Sequence, residues 1–287
     1  MKRHAMLACY KGTVLVAELG DIKIHTYISP EDGLLTNTQI VEGPRKLVIF
    51  DGQFFLPYAE EVANYVVTLG KPVDRIVLSH IHLDHWSGLS LLAERFPAAP
   101  ICAPAGVADY LRSNGQRILD TRRKVFGDRI PKQPTIPTGA LPEGNVSLDG
   151  MHFVFKRYVN AESAIQLVAL IPELQTIFAF DLVFGPNEHV FTVTSHFESW
   201  ITILEGFNRL PGYGRILSGH GEPTDHSAID ATIAYLRKGK DVYASSSHPT
   251  EYASTMKAYF PNRRHPEWID LSATLLFGLV DAYATDV

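Results

Sequence analysis

Cysteine is almost absent from this sequence: Cys9 and Cys102 are the only two in 287 residues. Two are too few for a disulfide framework, and neither belongs to a Cys-x-x-Cys pair, so disulfide scaffolds and thiolate metal sites are both disfavoured. Also missing is any apolar run of the roughly 18–20 residues that a membrane span requires. The opening Met1-Lys2-Arg3-His4 precedes a short apolar stretch, but Lys11 interrupts it after Tyr10. That is short of the about 7–15 residues of a secretory core segment, and the stretch reads as a first strand. Net positive charge is lacking too: 26 Lys+Arg against 31 Asp+Glu give −5, which argues against a general nucleic-acid footprint. There is no low-complexity tract, charge block or repeat. These absences fit a globular chain in a reducing cytoplasm, acting on a small molecule without nucleic-acid or membrane partners. They carry no signal of oligomeric state.

What the chain does have is apolar content, 46% of residues, enough for one large α/β domain or two small ones. Residues 12–28 predict two strands turning at Leu19-Gly20-Asp21, and residues 37–41 and 46–50 a second hairpin. Helical spacing over 57–69 ends at Gly70-Lys71-Pro72. A short strand over 100–103 and a helix over 105–119 come next, then strands over 146–148, 151–159, 165–170 and 176–180. Outer helices are expected over 227–236, 254–260 and 271–283. Between Gln116 and Ile136 lie Arg117, Arg122, Arg123, Lys124 and Arg129. This basic stretch is either a mobile cover that attracts an anionic substrate or a solvated helix face with a connector.

The densest chemistry lies at Ser79-His80-Ile81-His82-Leu83-Asp84-His85-Trp86-Ser87-Gly88, directly after the apolar run Asp74-Arg75-Ile76-Val77-Leu78. A buried strand feeding a loop suits chemistry, because the strand is rigid and the loop can aim several groups inward. His80 and His82 are two apart, so extended backbone puts both imidazoles on one side. Asp84 and His85 fall where the chain bends into a helix over 87–96 and therefore aim elsewhere. Four N/O donors in two pairs suit two adjacent borderline metals, zinc first, with manganese or iron also compatible. A solvated turn or satisfied core histidines are the bland readings, and the donor density argues against both.

The pattern HxHxDH after a buried strand resembles the signature of the metallo-β-lactamase superfamily. The resemblance implies an α/β fold, a four-layer αβ/βα sandwich. It implies one domain over residues 1–287 with pseudo-halves of about 1–144 and 145–287. It further implies a binuclear metal site at one edge of the packed sheets and a metal-bridging hydroxide that attacks an electrophile. Asp181, closing an apolar strand, stands where this family carries its bridging aspartate. His220, in Ser218-Gly219-His220-Gly221-Glu222-Pro223, resembles the last metal histidine. Asp51, in Asp51-Gly52, matches the aspartate beside the metal loop; it is expected to support ligands by hydrogen bonding, an ordinary turn-forming pair being the alternative.

One family histidine is missing. Its position falls at Glu162, in Asn160-Ala161-Glu162-Ser163, and His152, mid-strand and ten residues away, is rejected as a substitute. Glutamate is a competent zinc or iron ligand, and the alkylsulfatase branch of the superfamily looks similar in using one there. That branch, however, usually has a second glutamate where this chain has Asp181, and it carries extra domains. The resemblance then assigns His80, His82 and Glu162 to one metal and Asp84, His85 and His220 to the other, with Asp181 shared. The alternatives are that Glu162 points away and leaves one metal weakly held, or that the site is degenerate. Two divalent cations with Asp84, Asp181 and a hydroxide keep one positive charge, which the Glu162 carboxylate cancels. A neutral cluster is a weaker Lewis acid and tilts preference towards manganese or iron.

The expected reaction is hydrolysis of a carboxylic ester, thioester, lactone or sulfate ester, with Asp84 orienting the hydroxide or collecting its proton. A mononuclear iron oxidoreductase acting on sulfur compounds and a non-catalytic member of the fold are the rival readings. Trp86, Phe184, His189, His196 and Trp200 flank the ligand segments and are candidates for the substrate pocket, ordinary packing being the alternative.

Overall fold

Leu47, Val48, Ile49 and Phe50 are consecutive and all buried, and a strand can bury both faces only if a layer covers each. The computed structural model, which describes residues 2–3 and 10–279, satisfies this with two sheets stacked between helices. The reading of residues 4–9 as strand, and of a closing helix beyond 279, falls outside the described residues.

The first sheet runs, in spatial order, β1 (Lys2–Arg3), β2 (Thr13–Leu19), β3 (Ile22–Ile28), β4 (Asn37–Glu42), β5 (Leu47–Phe50), β6 (Val73–Val77), β7 (Ile101–Ala103) and β8 (Gly139–Ala140). It is antiparallel up to β5 and parallel from there to β8. Helices α1 (Leu56–Thr68), α2 (Leu83–Trp86), α3 (Leu89–Arg95) and α4 (Val107–Phe126) lie among its parallel strands. The second sheet comprises β9 (Gly144–Leu148), β10 (Met151–Val159), β11 (Ile165–Ile171), β12 (Thr176–Phe180) and β13 (Arg215–Ser218). It is antiparallel except for the β12–β13 pair, and α5 (Phe197–Asn208), α6 (His226–Ser245), α7 (Pro249–Tyr259) and α8 (Glu267–Leu276) complete the chain.

Three apolar cores separate four layers. Leu47 and Ile49 of β5 face α1 and α3, while Val48 and Phe50 turn to the second sheet. On β12, Phe178 and Phe180 meet that middle core, whereas Ile177 and Ala179 face α5 and α6. The strand period of two thus assigns each strand's residues alternately to the middle and an outer core. The result is the αβ/βα sandwich that the resemblance implied. No helix among the described residues is long and apolar enough to cross a membrane.

The helices differ from the sequence reading in extent and, at α5, in number. The basic stretch follows its helix-face-and-connector reading: α4 continues to Phe126 and carries Arg117, Arg122, Arg123 and Lys124, while Arg129 stacks on Phe55 and pairs with Asp32. Helix α5 has no counterpart in the sequence reading; Trp200, Ile201, Thr202 and Ile203 lie within it and are poor intrinsic helix formers, and its N-cap residue His196 makes no capping bond. Helices α6, α7 and α8 all begin before their predicted starts, and α6 also runs on to Ser245.

Candidate metal centre

The parallel strand β6 delivers the ligand stretch to the edge of the first sheet, and backbone bridges stitch that edge to the second. Leu167 N donates to Ser79 O at 2.9 Å, and Asn37 N donates to Gly219 O at 2.7 Å. Asn37 Nδ2 donates to both Ser218 O and Gly221 O, so one buried amide fixes the His220 loop. Asp84 and His85 sit on the one-turn helix α2 rather than in a plain bend. Gly88 then permits a close approach: a Cβ there would meet Gly52 O at 2.0 Å. At Gly219 a Cβ would fall 1.7 Å from Asp181 Oδ1. Both glycines leave room for the site itself.

Several non-glycine residues around this edge hold left-handed backbone: Leu34 (φ 64°), Leu35 (φ 55°), Asp51 (φ 65°), Gln53 (φ 76°) and Phe180 (φ 48°). Each such conformation costs about 1 kcal/mol or more and persists only where the surroundings enforce it. Phe180 also ends an irregular β12–β13 register, and a bulge at that point re-aims the next side chain, Asp181.

Two four-residue groups result. His80, His82, Glu162 and Asp181 form one, and Asp84, His85, Asp181 and His220 the other, each with donor atoms all within 4.8 Å of one another and every residue buried. Asp181 belongs to both. Its Oδ1 lies 3.3 Å from His85 Nε2, and its Oδ2 lies 3.1 Å from His220 Nε2 and 3.5 Å from His80 Nε2. Glu162 Oε1 lies 3.1 Å from His82 Nδ1, and Oε2 lies 4.0 Å from His80 Nε2. Glu162 therefore faces inward, between the two histidines of the ligand strand. Asp84 Oδ2 lies 3.3 Å from both His85 Nε2 and His220 Nε2.

The outer nitrogens are tied down. His85 Nδ1 pairs with Asp51 Oδ2 at 2.9 Å, and the same carboxylate accepts from Ser79 N and Ser79 Oγ at 2.7 Å each. Ser79 Oγ also contacts His80 Nδ1 at 2.8 Å, and His220 Nδ1 meets Leu34 O at 2.8 Å. The inner atoms, by contrast, lack hydrogen-bond partners: His80 Nε2, His85 Nε2, Asp181 Oδ1 and both oxygens of Glu162. Buried carboxylates and imidazoles left unpaired on one shared face are costly as a bare cluster and suited to cations. Without cations, protons do part of that work. Burial opposes charge on Asp84, yet His85 and His220 hold its carboxyl down at about 2. Burial likewise opposes charge on His220, yet Asp181 and Asp84 push it up to about 9. Asp181 is held well below the usual carboxylate range and His85 well above the usual imidazole range by the same attractions, against burial. Metal binding must displace such protons.

A cavity of about 40 Å³ opens on Asp84, Asp181, His82 and His220. Phe184 lines it, as do Leu34, Phe191, Trp268 and Leu271, which the sequence reading missed. Trp86 and Trp200 do not: each is fully buried in an outer core, its indole donating to Ile81 O or Leu182 O. His196 is exposed at the start of α5, and His189 is buried against Tyr235. His152 pairs with Glu173 on β10, away from the ligand groups. The one sequence signal for the missed wall was Trp268 and Leu271 at helical spacing.

A family model described as the metallo-beta-lactamase superfamily matches residues 32–213. No curated relative matches the sequence. Among solved structures, a metallo-beta-lactamase from Pontibacter korlensis superposes with a TM-score of 0.60 at 18% identity, covering 78% of this chain and 99% of its own. The metallo-beta-lactamase FIM-1 from Pseudomonas aeruginosa, in a mono-zinc form, gives 0.60 at 18% identity over 79% of this chain and 96% of its own. The stereoselective inverting sec-alkylsulfatase Pisa1 from Pseudomonas sp. gives 0.65 at 15% identity over 92% of this chain but 50% of its own. At such identities these structures share the fold.

Proposed function

The chain belongs to the metallo-β-lactamase superfamily, typically metal-dependent hydrolases, and from that premise we propose a two-metal hydrolase that cleaves an ester-type bond in a small molecule. The observation that carries this reading is the pair of buried four-donor groups overlapping at Asp181. His80, His82 and Glu162 would hold one divalent ion and Asp84, His85 and His220 the other, with Asp181 facing both. Imidazole and carboxylate donors suit zinc first, with manganese or iron as alternatives. Two such ions, when bound, supply hydroxide at neutral pH and polarise the oxygen of the scissile group.

The rest falls to the chain. Asp51 fixes the outer nitrogen of His85, Ser79 that of His80, and Leu34 O that of His220, so that each ring presents its other nitrogen inward. Asp84 lines the cavity, its carboxylate accepts from the Thr36 hydroxyl at 3.3 Å, and it is the group suited to orient the attacking water or collect its proton. No serine or cysteine lines the cavity among the described residues, which favours attack by water over a side-chain nucleophile. The scarcity of cysteine and the net charge of −5 support a cytoplasmic reaction without nucleic-acid or membrane partners.

Elemental analysis of protein purified without added metal or chelator tests the reading. About two metals per chain are expected, with ester hydrolysis lost on chelation and restored on reloading. One iron per chain with oxygen uptake would replace it by an oxidoreductase, and failure to take up any metal would refute it.

A further inference from the structure

The residues Leu34 to Asn37, which lead into β4, brace one of the two ligand groups. His220 Nδ1 donates to Leu34 O at 2.8 Å, Gly221 N donates to Leu35 O at 2.9 Å, and Asn37 holds the carbonyls of Ser218, Gly219 and Gly221. Thr36, fully buried, forms a single backbone bridge with His220 and places its hydroxyl 3.3 Å from Asp84 Oδ2. Leu34 and Leu35 hold left-handed backbone at consecutive positions, a strain that persists only where the surroundings enforce it. His80, in the other group, is supported by Ser79 instead.

The Thr36 hydroxyl has one proton and two acceptors within reach, Gly33 O at 2.8 Å and Asp84 Oδ2 at 3.3 Å. Distance alone assigns the proton to Gly33. Counting lone pairs reverses that assignment. A carbonyl oxygen has two, and Gly33 O already accepts from Ser29 Oγ at 2.8 Å and from Thr36 N at 3.2 Å. A third donor gains little there, whereas a hydrogen bond to an ionised carboxylate is about twice as strong as a neutral one. The β-branched side chain of Thr36 also has few other rotamers to adopt.

We propose that Thr36 is a positioning residue for Asp84: its hydroxyl fixes the rotation of that carboxylate and thereby sets metal affinity at the site of Asp84, His85 and His220. The proposal rests on the two-metal reading above. A carboxylate held in place beforehand loses no rotamer freedom when a cation binds, and a free one does. Ser29 enters the same device from outside the ligand set, because its hydroxyl occupies the lone pair on Gly33 O that would otherwise draw the Thr36 proton away.

Zinc titration against a competing chelator, on the full chain stripped and reloaded, resolves the two affinities. Thr36→Val keeps the size and the β-branching but removes the hydroxyl; one zinc affinity should fall about 10–100-fold while the other holds. Thr36→Ser, which restores the hydroxyl, should return it close to the parent value. Ser29→Ala frees a lone pair on Gly33 O and should weaken the same zinc ion in the parent background but not in Thr36→Val, a coupling that a packing role does not produce. Melting of each metal-free variant establishes that it is folded. Thr36→Val that weakens neither ion or both alike, Thr36→Ser as weak as Thr36→Val, or a Ser29→Ala effect that persists in full without the hydroxyl would overturn the proposal and leave the two-metal hydrolase standing. Should Thr36→Val not fold, Ser29→Ala decides alone, and zinc affinity equal to the parent's overturns the proposal. A parent that takes up one zinc, weakened in Thr36→Val and rescued in Thr36→Ser, would uphold the proposal and sink the two-metal reading instead; a parent that takes up none sinks both.

Discussion

Replacing Glu162 with glutamine separates a metal ligand from a structural carboxylate, because the two roles give opposite signs in the presence and absence of metal. Glu162 is fully buried, and neither of its oxygens has a hydrogen-bond partner; its approach to His82 Nδ1 at 3.1 Å offsets part of that cost. Leaving a buried polar group unsatisfied costs about 1–3 kcal/mol, and more when it is charged, so neutralising it at constant volume should stabilise the metal-free protein by about 1–3 kcal/mol. One kcal/mol corresponds to about 2–4 °C in Tm for a large domain, so metal-free Glu162→Gln should melt roughly 2–12 °C above the parent. With metal the order reverses. Loss of a carboxylate ligand that weakens binding about a hundredfold removes about 2.7 kcal/mol of ligand-linked stability. Calorimetric Tm values of parent and variant, each chelated and reloaded, together with metal content, read both signs. If Glu162→Gln lowered Tm equally with and without metal, the carboxylate would be structural and the assignment of Glu162 as a ligand would fail.

Two further outcomes follow from the same geometry. Asp51→Ala leaves His85 Nδ1 and Ser79 N without their shared acceptor, and metal affinity measured by chelator competition should fall about 10–100-fold; unchanged affinity would leave Asp51 as a turn former only. His189 is held down at about 4, chiefly by burial and then by repulsion from the Arg263 cation. A depressed folded-state pKa contributes stability above the unfolded value near 6.5 that drains away as pH falls towards 4. Urea unfolding at pH 7 and near pH 4.5 should therefore show His189→Gln losing about 1–2 kcal/mol less than the parent over that interval, after allowing for screening. An equal loss in both proteins would mean that His189 does not titrate in this range.

The ligand stretch was legible because imidazoles and carboxylates concentrated after a buried strand have few alternative uses. The same holds for strands such as 176–180, where unbroken apolar runs fix period, length and double-sided burial together. Aromatic residues near the ligands were a poorer guide. Trp86 and Trp200 flank ligand segments, yet their indoles find carbonyl acceptors inside the outer cores, and proximity along the chain says nothing about which face a large ring takes. Helix α5 and the far end of α4 escaped notice for a related reason. Weak intrinsic propensity and charged residues hide a helix that tertiary packing stabilises.

The sequence by itself determined the strands, through apolar runs and alternation, and the donor-rich stretch after β6; the four-layer fold and the remaining donors came from the superfamily that this stretch resembles. Only the tertiary structure decided how those donors share space. Glu162 faces inward because β11 pairs with the Ser79 backbone, and Asp181 touches both groups because the β12 irregularity turns it and Gly219 leaves it room. The apolar wall likewise exists only where Trp268 and Leu271 of α8 meet Phe184 after β12 and Leu34 before β4. These are contacts between residues far apart in the chain, and no local pattern encodes the distance between them.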